Sequence, residues 1–233
     1  MKTYRVSLLA SAVLVCIGAS GFVHADVILN PTSASDNSHY SDVTGTNVPA
    51  SKTIDGSGLS DPSLVDNGDA VPASWPTNAA SNTSVPGFSY NYVCNLGEKD
   101  FATVTYDFTT PVNISYGHFW QYGGDDTGRS LYSAAIYVST DGVNYTSAGT
   151  LTPGYEEAAT ATDDPGVNFA LTASNIKSVR LQNMVAYNAA NAQSMVGFGE
   201  IRFVGTVVPE PSTIVLVLTG IIGLLAYAWR KQK

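Results

Sequence analysis

Only 2 cysteines and 3 histidines occur in 233 residues, and that scarcity closes several routes to function. Cys16 lies in a removable leader, so Cys94 alone is left in the exported part, which excludes an intrachain disulfide framework. A lone thiol with no base partner visible in the sequence reads as a buried cysteine rather than a nucleophile. Once His24 leaves with the leader, His39 and His118 are too few for a three-histidine zinc site and are not spaced as a zincin pair. No Gly-x-Ser-x-Gly elbow or phosphate loop occurs. A glycosidase carboxylate pair leaves no sequence signature, because its acids meet in space. Glu98 and Glu200 are the first candidates for one, although Glu200 is expected to be chiefly structural on a terminal strand. The expectation is therefore a protein that is not an enzyme.

Positive charge is also scarce where it matters. Of 11 basic residues, Lys2, Arg5, Arg230, Lys231 and Lys233 sit in the two ends, whereas only Glu210 of the 19 acidic residues does. The middle of the chain keeps 6 basic against 18 acidic residues, a net charge of −12. Such a surface repels phosphate backbones and anionic lipid, so nucleic acid is excluded as a partner.

What is present begins with two addresses. Lys2 and Arg5 precede an apolar run from Val6 to Ile17, and Val23-His24-Ala25 then leads into Asp26. The run is short for a spanning helix, and this layout predicts a signal peptide over 1–25, cut by signal peptidase after Ala25. Val15 before Cys16 does not suit a lipoprotein signal. At the other end, Ser212 to Trp229 is apolar apart from Ser212, Thr213 and Thr219, and a basic tail follows over 230–233. That stretch spans about 27 Å as a helix, close to the hydrocarbon thickness of about 30 Å. It predicts a marginal transmembrane helix over 212–229 with its basic end cytoplasmic.

Val208-Pro209-Glu210-Pro211-Ser212-Thr213 stands immediately before that helix. A Pro-Glu-Pro motif, an apolar helix and a short basic end, in that order, resemble the PEP-CTERM sorting signal. The resemblance implies processing near Pro209, Glu210 and Pro211 by exosortase, a membrane-embedded cysteine transpeptidase. It also implies membrane anchoring through the helix before processing, and the cell surface or extracellular matrix afterwards. The two prolines remove backbone donors and hold the segment extended. A plain anchor with a rigid proline hinge is the alternative.

Between the addresses, 26–207 is rich in Thr, Ser, Asn, Gly, Val and Tyr and shows no long helical periodicity, which predicts an all-β domain. Residues 102, 104, 106 and 108 are apolar or aromatic while their alternates are polar, as in a strand with one packed face. Val112, Ile114, Tyr116 and Trp120 continue the alternation, and Leu131 to Thr140 reads as another central strand. Asp141-Gly142 predicts a tight hairpin between Ala135 to Ser139 and Val143 to Thr146. Further strands are expected at 167–171, 178–183 and 196–204, with a long Pro- and Gly-rich loop over 53–87. Together they predict a single jelly-roll-like β-sandwich.

Three segments, Thr53-Ile54-Asp55-Gly56, Ser139 to Tyr145 and Val196 to Phe203, resemble the discoidin or coagulation-factor type C family of galactose-binding-like domains. The cysteine pair that often joins that family's chain ends is absent. Asp55, Asp61, Asp66 and Asp69 crowd one irregular stretch, in hard-oxygen chemistry that suits calcium, although the spacing is not that of an EF-hand loop. Galactose-binding-like folds often hold a structural calcium ion in an early loop, so the resemblance implies one here; a solvated acidic loop is the other reading. Asp125-Asp126 and Asp163-Asp164 read as turns. Trp75 and Trp120 lie near loops, where an aromatic face either stacks on a sugar ring or caps the core, and core is expected of Trp120. Arg129 either hydrogen-bonds sugar hydroxyls or pairs with its neighbours, and pairing is expected. The combined expectation is an exported, non-catalytic module that binds exopolysaccharide. A glycan-active enzyme and a structural or adhesive coat protein without a small ligand are the alternatives.

Overall fold

A computed structural model describes residues 25–37, 49–56, 59–61, 63, 66–76, 92–95, 102–121, 127–154, 165–187, 195–209 and 211–231. The expectations for 1–24, His39, Glu98, Asp125-Asp126, Asp163-Asp164 and Glu210 lie outside them. Among the described residues nine strands form: β1 Val27–Leu29, β2 Ser33–Asp36, β3 Tyr92–Asn95, β4 Thr103–Gln121, β5 Leu131–Ser139, β6 Thr146–Leu151, β7 Val167–Phe169, β8 Ala173–Ala186 and β9 Met195–Val207. All their pairings are antiparallel, in the order β1-β9-β4-β8-β5-β6, with β2 and β7 also beside β4 and β3 beside β9.

The long strand β4 organises two layers. Over Thr103 to Asp107 it runs between β2 and β8, and its register then shifts before Val112. Beyond that shift it has β9 on one edge and the start of β8, then β7, on the other. Pro111 sits at the shift, where a residue without an N–H removes no ladder bond that the bend has not already broken. The inner faces of the two layers meet where Tyr106 and Phe108 pack edge-on against Phe203, with ring centroids 5.8 and 5.7 Å apart. Ala102, Val104, Tyr106, Phe108, Val112 and Ile114 are all buried, as the alternation predicts. This is the all-β sandwich expected from the sequence.

From Gly117 to Gln121 both faces of β4 are buried, which alternation alone does not predict. The inner face carries Phe119 in the main core. The outer face carries Trp120, which joins Ile28, Leu59 and the half-buried Trp75 in a second, smaller cluster beneath the 59–76 stretch.

The predicted tight turn at Asp141-Gly142 is corrected. Thr140 to Tyr145 form a wider loop, and β6 begins only at Thr146, opposite Val138. The Asp141 carboxylate is the reason: it accepts bonds from the Val143 and Asn144 amides at 2.8 Å each and from Asn144 Nδ2 at 2.7 Å, curling the chain before pairing can start. Gly142, at φ +80°, supplies the left-handed step.

The C-terminal element, α1, is a helix over Pro211–Lys231. The transmembrane expectation for 212–229 is also corrected, because among the described residues no helix is long and apolar enough to cross a membrane. Thr219, Gly220 and Gly223 interrupt the apolar run, and Arg230 ends it.

Candidate functional site

At one end of the sandwich, the ends of β4 and β8, the start of β5 and β9 are pinned together by main-chain and amide bonds. Gln121, fully buried at the end of β4, donates from Nε2 to the Leu131 carbonyl at 3.0 Å and accepts from the Leu131 amide at 2.9 Å. The Tyr187 amide donates to the Ser130 carbonyl at 2.8 Å, and Ser130 in turn bridges Gly197 on β9. This frame presents two aromatic rings to solvent: Tyr132 is 54% exposed and Tyr187 39%, and they meet edge-to-face at 5.6 Å. Tyr132 points outward because its neighbour Leu131 points inward, and Val185, 45% exposed, extends the apolar surface. Arg129 ends the short 3-10 turn Thr127–Arg129 just before Ser130 and is nearly buried. The sequence reading missed both tyrosines, since neither Tyr132 in β5 nor Tyr187 just past β8 carries a mark of the face it takes.

Trp75 and Trp120 do come together, but not as an open platform. Trp120 is wholly buried, and its indole N–H donates to the Pro76 carbonyl at 2.8 Å. It therefore offers no face to a ligand. Trp75 stacks flat on His118 with centroids 4.2 Å apart, and His118 meets Trp120 edge-on at 4.3 Å. His118 Nδ1 lies 2.6 Å from Asn168 Oδ1 and Nε2 lies 3.0 Å from the Pro165 carbonyl, so β7 and its approach are fastened to β4. The stack sews the 59–76 stretch and β7 onto the sheet.

Glu200 and Arg202 form a buried polar group on β9. Arg202 Nη1 donates to Glu200 Oε2 at 2.7 Å, to the Ile201 carbonyl at 2.8 Å and to the Thr53 carbonyl at 3.3 Å. Burial pushes the Glu200 carboxyl up to about 8, with the Arg202 guanidinium pulling the other way and the Asp55 carboxylate adding to the rise. The Gly56 amide also pulls the carboxyl down, but burial outweighs it together with the guanidinium. Thr53 Oγ1 lies 3.1 Å from the Tyr106 hydroxyl, whose ionisation burial holds well above its ordinary range. Glu200 is 0% exposed, so a polymer has no path to it.

The four aspartates are not gathered into one donor set. Among the described residues no three His, Cys, Asp or Glu side chains converge as metal ligands. Asp55 pairs with Lys52 at 3.2 Å. Asp61 Oδ1 accepts from the amide and hydroxyl of Ser63 at 3.1 and 2.6 Å. Asp66 and Asp69 build a turn through their main chains: the Asp69 amide donates to the Asp66 carbonyl, and the Ile28 amide donates to the Asp69 carbonyl.

At the opposite end of β9 the chain passes Pro209 and enters α1 at Pro211. As to the domain, the chain is similar in structure to the C-terminal domain of a chitobiase from Bacteroides fragilis, at TM-score 0.49 and 14% identity over 78% of this chain and 100% of that one. It is also similar to CpGH89CBM32-5 from Clostridium perfringens, solved in complex with GalNAc-β-1,3-galactose, at TM-score 0.48 and 13% identity over 76% and 99% of the two chains. A third is the F5/8 type C domain of a Bacteroides fragilis protein, at TM-score 0.39 and 16% identity over 58% and 84%. No curated protein matches the sequence. As to the tail, residues 207–233 match the PEP-CTERM protein-sorting motif, so the chain carries a signal for export and sorting to the cell surface.

Proposed function

We propose that this chain is an exported surface or matrix protein that binds exopolysaccharide without catalysis, through the exposed pair Tyr132 and Tyr187, and that exosortase processes its tail after signal peptidase has removed its leader. The observation that carries the reading is the exposed aromatic pair on a rigid end of the sandwich, opposite the end that bears the sorting motif. From Gly197, beside the pair, to Val207, next to the motif, β9 advances roughly 33 Å at about 3.3 Å per residue. A sorted protein that presents a ligand surface away from its sorted end has its working face outward. Tyrosine suits that surface, because the ring gives apolar area to a sugar face at little cost in side-chain freedom while the hydroxyl stays wet. The acidic domain favours neutral glycans over polyanions.

Pull-down with the producer's own polysaccharide tests it. Tyr132→Ala and Tyr187→Ala should each weaken binding about tenfold, equivalent to about 1.4 kcal/mol, with little change in thermal stability because both rings are exposed. Undiminished binding by the double variant, or none by the intact protein, removes the carbohydrate reading.

A further inference from the structure

We infer that the folded domain gates its own sorting: the C-terminal end of β9 holds the residues just ahead of the Pro-Glu-Pro motif in the domain's ladder, and the processing enzyme reaches them only when that end frays. The inference rests on exosortase processing as proposed above and concerns what this chain does to it.

The geometry is that of a strand zipped almost to the motif. Gly205 is paired on both edges, with Val27 of β1 and Ile114 of β4. A Cβ at that position would overlap the Asn113 carbonyl, so the approach is close. Thr206 and Val207 continue on β4 opposite Asn113 and Val112, and Asn113 Nδ2 donates to Thr206 Oγ1 at 3.4 Å. One residue further, the Val208 amide donates to the Pro111 carbonyl at 2.9 Å. The helix begins at Pro211. Only Pro209 and Glu210 separate the last bond to the domain from the first helical residue, a reach of about 10 Å for extended chain.

An enzyme that takes an extended peptide binds it largely through main-chain donors and acceptors. Within the motif Pro209 and Pro211 have no N–H, so the nearest upstream donor is the Val208 amide. The domain already uses that donor. Its hold is of the kind that opens without unfolding: Val207 is 44% exposed and has a partner on one edge only, whereas Phe203 and Val204 behind it are fully buried and remain seated. Fraying by two residues frees the amide and leaves the core intact.

The test is a pulse-chase of tail release from the full chain in cells that carry exosortase. Inserting Gly-Ser-Gly-Ser between Val208 and Pro209 supplies free chain outside the folded part, and should speed release about three- to tenfold, the factor expected for relieving one main-chain bond. Thr206→Gly keeps the spacing and the Val208 amide but removes the bond from Asn113 Nδ2 and loosens the strand end, and should accelerate release in the same direction. Hydrogen exchange on the intact protein should find the Val208 amide protected. Equal release rates for the parent and the insertion chain, or a Val208 amide exchanging like unstructured peptide, would overturn the gate while leaving the sorting reading in place. No release from either chain would overturn the sorting reading, and the gate with it.

Discussion

Glu200 and Arg202, two residues apart on β9, share one face of the strand, and their 2.7 Å contact brings a carboxyl and a guanidinium out of water together. Removing charge from water is costly, and for Glu200 that cost raises its proton affinity above that of an ordinary carboxyl despite the guanidinium. The sign of the pH effect follows. In the unfolded chain the carboxyl loses its proton near 4.5, and in the folded chain near 8, so between those values the folded state binds more protons. Stability contributed by this group is therefore full below about 4.5 and falls as pH rises to about 8. Glu200→Gln keeps an acceptor for Arg202 and has no proton to lose. Thermal melts from pH 5 to pH 8 should show the parent losing a few kcal/mol relative to that variant, and parallel slopes would contradict the assignment. The residue also shows a limit of reading sequence. Its place on a terminal strand was legible in Gly199 to Phe203, but a carboxyl's partners across the fold, here the Thr53 and Asp55 turn, are set by chain segments far apart.

Elements were most legible where one face packs and one is wet. The alternation over 102–108 gave both strand and buried face, and β8 and β9 extend well beyond the expected 178–183 and 196–204 because ladder pairing continues past the apolar residues. What alternation hides is the second covering layer. Trp120 and His118 lie on a face that would be wet if the 59–76 stretch did not cross it, and nothing local to β4 reports that crossing. The width of the Asp141 loop was hidden in another way, since a single carboxylate accepting three nitrogen donors outweighs the turn preference of the Asp-Gly pair. Gly117 is legible only in the structure: a Cβ there would overlap the Phe169 ring, which uses the missing side chain as its seat against β4. Gly117→Ala should destabilise the domain by about 1–3 kcal/mol through overpacking. Chemical denaturation reads this directly, and an unchanged midpoint would show that β7 is not held there.

Across the whole molecule, the sorting motif was the most legible feature, because an enzyme reads it as a linear segment and it needs no folding to be recognised. Pro209→Ala together with Glu210→Ala should leave the tail attached in a host carrying exosortase, seen as an unshifted band when the parent is shortened. Normal shortening of that variant would mean that another part of the chain directs the cut. The exposed tyrosine pair was illegible for the opposite reason, since Tyr132 and Tyr187 are brought together by the meeting of β5 and β8. The placement of these two ends has a mechanical consequence. With polymer bound as proposed, a pull between the tyrosines and the C-terminal segment would run along the axis of β9, whose middle and last residues are bonded to β4 on one side while β3 and β1 grip parts of the other. Such a load shears many ladder bonds at once instead of peeling them singly, so the strand that ends at the sorting motif also acts as the tension member of the domain.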